Sequence, residues 1–105
     1  MKHNSLASEL KFVTTHEESV GFGVIRAILR QNVGVNRIIA RSSQGYFGVI
    51  LDDNSTTPIC RLYFSGKQMY IGIFNGPTLE TRHPIERIDE ILKHSDALMN
   101  AVDFY

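Results

Sequence analysis

Apolar residues recur along this chain at two spacings, and the change from one to the other divides it. Val20, Val24, Ile25, Ile28 and Leu29 follow a helical period, which predicts a helix over residues 15–31. Thr14 with Glu17 and Thr15 with Glu18 form two overlapping capping boxes at its start, either of which satisfies orphan amides there. Gly21 and Gly23 each cost such a helix about 1 kcal/mol relative to alanine, tolerable where that surface packs closely on a neighbour. Asn32 and Gly34 end it. Residues 1–13 are mixed in polarity and read as a loosely held lead-in, with a frayed helix through Leu6, Leu10 and Phe12.

From Val35 the period shortens. β-Branched and aromatic runs at Val35–Ser42, Tyr46–Asp52, Pro58–Phe64, Gln68–Phe74 and Leu79–Ile85 are separated by short turn clusters, predicting strands. Connections this brief cannot hold crossover helices, so neighbouring strands are expected to be antiparallel. A closing helix over 88–103 carries Ile88, Ile91, Leu92, Leu98, Met99 and Val102 on one stripe, with Asp89 and Glu90 in its first turn. The expected fold class is therefore α+β: a five-stranded antiparallel sheet with the N- and C-terminal helices packed on one face, in a single domain over 14–105.

The faces follow from the turns. Ser65-Gly66-Lys67-Gln68 suits a two-residue type II′ hairpin, which sets Phe64 opposite Met69, Leu62 near Ile71, Cys60 near Ile73, Tyr63 opposite Tyr70 and Arg61 near Gly72. Taking 53–57 as the preceding loop puts Ile50 beside Cys60 and Val49 beside Arg61. One face then reads Ile38, Ala40, Ile50, Cys60, Leu62, Phe64, Met69, Ile71 and Ile73, and belongs under the helices. The other carries Arg37, Ile39, Arg41, Phe47, Val49, Leu51, Ile59, Arg61, Tyr63, Gln68, Tyr70 and Phe74. Arginine, tyrosine and aliphatics together are the composition of a contact surface rather than of a solvated face. Arg41, Phe47, Arg61, Tyr63 and Tyr70 are the expected DNA or partner contacts. A slip of one residue would exchange the faces.

Composition narrows the functions. In 105 residues there is room for one core, and eleven basic residues balance eleven acidic ones, so any DNA contact must come from a local patch. Cys60 is the only cysteine, which excludes an intramolecular disulfide scaffold. No apolar segment follows Met1-Lys2-His3-Asn4-Ser5, and none nears the roughly 18 residues of a membrane span. The expectation is a cytoplasmic chain with no membrane partner.

Chemical motifs are sparse. Asp52-Asp53-Asn54-Ser55 fails as a calcium loop, since Thr57 and Tyr63 stand where Gly and Glu are required, and reads as an Asx turn. Gly21-Phe22-Gly23 lacks the third glycine of a dinucleotide fingerprint and the strand before it. His3, His16, His83 and His94 show no metal-ligand spacing. Cys60 reads as an inert core thiol. No catalytic residue, metal or cofactor is expected.

Tyr46-Phe47-Gly48-Val49-Ile50-Leu51-Asp52-Asp53-Asn54, Thr57-Pro58-Ile59-Cys60-Arg61-Leu62-Tyr63-Phe64 and Tyr70-Ile71-Gly72-Ile73-Phe74 resemble the segment that follows the endonuclease-like domain in prophage and bacterial proteins related to the type I restriction enzyme R subunit. The resemblance runs over roughly residues 15–105. It implies a restriction setting, whose nuclease chemistry resides in a PD-(D/E)xK core. That motif does not carry over: after Asp52 or Asp53, Ile59 stands where the metal-binding Glu is needed, and Arg61 where Lys would be. The resemblance thus implies a non-catalytic accessory domain working in assembly or DNA contact, with the parent nuclease domain, a second copy of itself or DNA as partner. The alternatives are a homodimerisation module without a nucleic-acid role, and a metal-dependent nuclease (or its inactive remnant) using Asp52 and Asp53. Arg61 is expected either to pair with a carboxylate or to point outward with Arg41 at a phosphate or a partner's carboxylate.

Overall fold

The computed structural model describes residues 14–105, so the expected lead-in over 1–13 lies outside the described residues. Helix α1 spans His16–Leu29, and Thr15 caps it in a full capping box with Glu18. Of its two glycines only Gly21 meets the condition set by the sequence. A Cβ there would stand 3.0 Å from Leu62 and 3.3 Å from Phe64, so the helix sits down on the sheet at that point, whereas Gly23 faces open space.

Five strands follow: β1 (Ile38–Ser43), β2 (Tyr46–Leu51), β3 (Pro58–Tyr63), β4 (Met69–Phe74) and β5 (Glu80–Ile85). They form one antiparallel meander in the order β1-β2-β3-β4-β5. Val35–Arg37, expected to open the first strand, is a short 3₁₀ turn. Four of the five expected β3–β4 pairs are present, Cys60 with Ile73, Arg61 with Gly72, Leu62 with Ile71 and Tyr63 with Tyr70, while Phe64 lies past the end of β3 and does not pair with Met69. The turn that sets them is not type II′, because Gly66 does not take a positive φ. Residues 64–68 make a wider bend, and Gln68 Nε2 ties its end to the Ile85 carbonyl at 3.0 Å.

The β2–β3 register differs from the expectation by one residue. Val49, not Ile50, lies opposite Cys60, and Gly48, not Val49, lies opposite Arg61. The cause is a bulge: Ile50 pairs with Pro58, which leaves Ile59 as the extra residue on β3. Counting from the loop cannot reveal an inserted residue, and a slip of one exchanges faces. Phe47, Val49 and Leu51 therefore lie in the core under the helices, Phe47 only 2% exposed and edge-on to Phe22 of α1 with 5.6 Å between ring centroids. The bulged Ile59 is buried with them, and Ile50 turns to the other face. Ala40, expected in the core, is exposed on the edge strand.

The closing helix is two pieces, a 3₁₀ segment over Ile88–His94 and helix α2 over Ser95–Asp103, the latter packed on β3 and β4. At about three residues per turn, positions 88, 91 and 94 fall in one row. Ile91 is accordingly buried, while Leu92 leaves the expected stripe and is 57% exposed. The same row brings His94 against His83 of β5, with ring centroids 4.6 Å apart. No helix among the described residues is long and apolar enough to cross a membrane.

Candidate binding face

The side of the sheet away from the helices is organised by register into cross-strand rows. Arg41 pairs with Gly48, Gly48 with Arg61, Arg61 with Gly72 and Gly72 with Arg82. Arginines on β1, β3 and β5 thus alternate with glycines on β2 and β4 in one line across the sheet. Strands are about 4.8 Å apart, so successive arginines leave the sheet roughly 10 Å from one another. A second row lies alongside: Tyr63 pairs with Tyr70, and the Tyr46 ring is 6.0 Å from that of Tyr63.

The two rows interlock. The Arg61 guanidinium carbon stands 4.3 Å from the Tyr46 ring centroid and 5.0 Å from that of Phe74, and the Arg82 carbon lies 3.9 Å from the Tyr63 ring centroid. Such cation–π stacking fixes a guanidinium plane without using its edge donors. The carboxylate of Glu80 sits within the cluster, its side chain 16% exposed, accepting a hydrogen bond from the Tyr63 hydroxyl and lying 3.9 Å from both Arg61 Nη1 and Arg82 Nε. It occupies the space above Gly72: a Cβ added there would collide with it. Burial first, and then the hydrogen bond to Glu80, raise the Tyr63 phenol above its ordinary pKa of 10, so Tyr63 is a neutral donor at physiological pH.

The loop after β2 is held by β1. Asp52 and Asp53 both take a left-handed φ, 57° and 56°, a conformation that disfavours residues other than glycine but that Asp and Asn tolerate. Arg37 grips Asp52 bidentately at 2.7 and 2.8 Å, and Arg41 pairs with Asp53. The Arg37 hydrogen bond holds the Asp52 carboxyl below its ordinary range. The Asx reading of this loop holds, with Asn54 Oδ1 accepting from the Thr56 amide at 2.9 Å. Each aspartate is thus engaged by its own arginine rather than paired with the other. Among the described residues no three of His, Cys, Asp and Glu converge as metal ligands. Burial pushes the Cys60 thiol far above its usual range, which leaves it without thiolate chemistry at neutral pH.

Of the five residues expected to make contact, the structure brings Arg41, Arg61, Tyr63 and Tyr70 to one face and removes Phe47 to the core. Sequence reasoning missed Tyr46, Glu80 and Arg82. Glu80 and Arg82 alternate along β5, so both reach the same face (the signal that could have found them). Between β1, β2 and β3 this face holds a cavity of about 380 Å³, bounded by Arg41, Tyr46, Gly48, Asp53 and Arg61. No protein-family model matches the chain, and neither a curated protein nor a solved structure shows significant similarity to it.

Proposed function

We propose that the chain is a non-catalytic accessory domain of a restriction-endonuclease-like protein, and that it contacts DNA through the outer face of its sheet. The observation that carries this reading is the line Arg41–Arg61–Arg82 beside the tyrosine row. Evenly spaced guanidinium groups suit a phosphate backbone, and aromatic side chains on an open sheet suit base stacking. The restriction setting comes from the resemblance of the segments around Leu51-Asp52-Asp53-Asn54 and Pro58-Ile59-Cys60-Arg61-Leu62. The capture of Asp52 and Asp53 by separate arginines supports a role without metal-dependent cleavage.

The test is anisotropy of a labelled oligonucleotide against salt. Three phosphate contacts give a slope near −2.7 in duplex DNA and −2.1 in single strands, or roughly 40-fold and 20-fold weakening between about 50 and 200 mM salt. Combined substitution Arg41→Glu, Arg61→Glu and Arg82→Glu abolishes binding. A flat salt response, or binding indifferent to the triple change, refutes DNA contact.

A second reading is self-association through the same face. Asp53 and Glu80 stand among its arginines, so the surface is charge-complementary to its own copy. That reading requires a doubled mass by light scattering that Tyr70→Glu halves.

A further inference from the structure

We propose that the cavity between β1, β2 and β3 is an oxyanion subsite that takes a phosphate group, with the Arg61 guanidinium as its fork. The nucleic-acid source of that phosphate rests on the function proposed above; the subsite itself does not.

Arg61 and Arg82 both lie 3.9 Å from Glu80 rather than in a tight ion pair, and Arg61 is the less exposed of the two, 35% against 57%. Arg37 and Arg87 are each engaged bidentately by an aspartate, at 2.7 and 2.8 Å and at 3.2 and 3.0 Å, and Arg41 pairs with Asp53. Arg61 is not gripped by a carboxylate: Glu80 stays 3.9 Å away, and the one polar neighbour of Arg61 besides, among the described residues, is the Tyr63 hydroxyl. Arg61 is nevertheless held in place: the Tyr46 and Phe74 rings both pack against its planar group, and only 35% of the side chain is exposed. Stacking blocks the faces of a guanidinium and leaves its edge, where the donors are. A guanidinium has five N–H donors, so a held edge with donors to spare is set for bidentate oxyanion binding, because little side-chain freedom remains to be lost.

The cavity gives that edge a ligand-sized space, about 380 Å³, within the range of small-ligand sites. Gly48 forms part of its wall and holds it open; a Cβ there would already lie 3.1 Å from the Arg41 carbonyl. Ser43 and Ser55 also border it. Its charged members are Arg41, Arg61 and Asp53, two cations and one anion, so a ligand with a single negative charge balances it. A phosphodiester carries one such charge, whereas a terminal phosphate at neutral pH carries roughly 1.5 to 2, which favours an internal nucleic-acid phosphate over a terminal one.

The experiment is an NMR titration of the full ¹⁵N-labelled chain with inorganic phosphate, with a thymidine dinucleotide and with acetate, following the Arg61 side-chain Nε–H and the amides of Gly48 and Arg61. Saturable shifts at these positions with both phosphate compounds are expected, and weaker ones with acetate, which fits the fork but not the rest of the cavity. The dinucleotide should bind at least tenfold more tightly than inorganic phosphate. Arg61→Lys, which keeps the charge and loses the fork, should weaken both at least tenfold, while Arg87→Lys leaves them unchanged. Absence of localised shifts in the wild-type chain overturns the subsite whether or not a variant folds, and so does an Arg61→Lys chain that binds as tightly as wild type. Salt-dependent oligonucleotide binding that survives Arg61→Lys removes the subsite and leaves the DNA reading standing. Saturable inorganic phosphate binding without dinucleotide or oligonucleotide binding keeps the subsite and removes that reading.

Discussion

Phe47→Ala distinguishes the observed register from its one-residue alternative. In the structure Phe47 is 2% exposed, belongs to the core cluster and meets Phe22 edge-on. Truncating a buried phenylalanine costs about 3–5 kcal/mol, part of it the transfer of the ring and part the cavity left behind. The edge-to-face contact contributes about 0.5–1.5 kcal/mol of this. Phe22 is only half-buried and can relax toward the vacancy, which places the expected loss near 3.5 kcal/mol. With an unfolding entropy of roughly 2.1 cal/mol/K per residue, a chain of 105 residues loses about 15 °C in Tm.

The assay is urea and thermal unfolding by circular dichroism, with Tyr70→Ala as the comparison. Tyr70 lies on the outer face, half-buried opposite Tyr63, so its truncation costs about 1 kcal/mol through lost cross-strand packing. If Phe47→Ala unfolds within about 1 kcal/mol of wild type while weakening ligand binding, Phe47 belongs to the contact face. The bulge at Ile59 is then wrong, and Arg41, Gly48 and Arg61 do not form a row.

Three further outcomes are expected. Gly72→Ala drives the Glu80 carboxylate from its place above the strand and breaks the Tyr63–Glu80 hydrogen bond; a loss of about 1–2 kcal/mol is expected by urea unfolding, and the double variant with Glu80→Ala should fall short of the summed single effects. Cys60 is buried, and its thiol pKa is raised by that burial and then by the Glu80 charge, so thiol reagents should modify it only after unfolding. A thiol titration with the rate of an exposed cysteine in native buffer contradicts this. His94 is shifted below its ordinary 6.5, by burial first and then by the charge of His83, with Lys93 acting the same way and Glu90 opposing. The unfolded imidazole therefore binds its proton at higher pH than the folded one, so the contribution to stability is full above about pH 6.5 and is lost as pH falls through that value toward the folded pKa. Unfolding midpoints compared at about pH 7.5 and about pH 5.5 should show a smaller loss in His83→Gln than in wild type.

The parts of this fold that were legible are those where two signals agreed. β3 and β4 alternate between aliphatic and Arg/Tyr positions, so their shared register was recoverable although the turn joining them was misassigned. In β2 no such alternation exists: Tyr46-Phe47-Gly48-Val49-Ile50-Leu51 is apolar at nearly every position, and either phase buries a plausible set. Phase then depended on loop counting, which the extra residue at Ile59 defeats. Gly48 was the available correction, since a residue beside Arg61 on a crowded face is best small. The closing segment was misjudged for a different reason. Its apolar positions fit a 3.6-residue period, but the first turns wind more tightly, and the tighter winding expels Leu92.

The bulge does more than shift a register; it changes the chemistry of the outer face. Without it, Phe47, Val49 and Leu51 would join Tyr63 and Tyr70 in a broad apolar surface of the kind that buries itself against a second copy. With it, β2 presents Tyr46, Gly48 and Ile50 instead, and Gly48 becomes the gap that aligns Arg41 with Arg61. The apolar area shrinks, and the cationic groups fall into line. Glu80 and Asp53 then limit the excess charge to one across Arg41, Arg61 and Arg82. On the proposed reading, a face with so small an excess would bind phosphate through placed donors rather than through bulk potential. Its affinity should therefore depend more on the Arg61 fork than on the number of basic residues, and replacing arginine by lysine should weaken binding while net charge is unchanged.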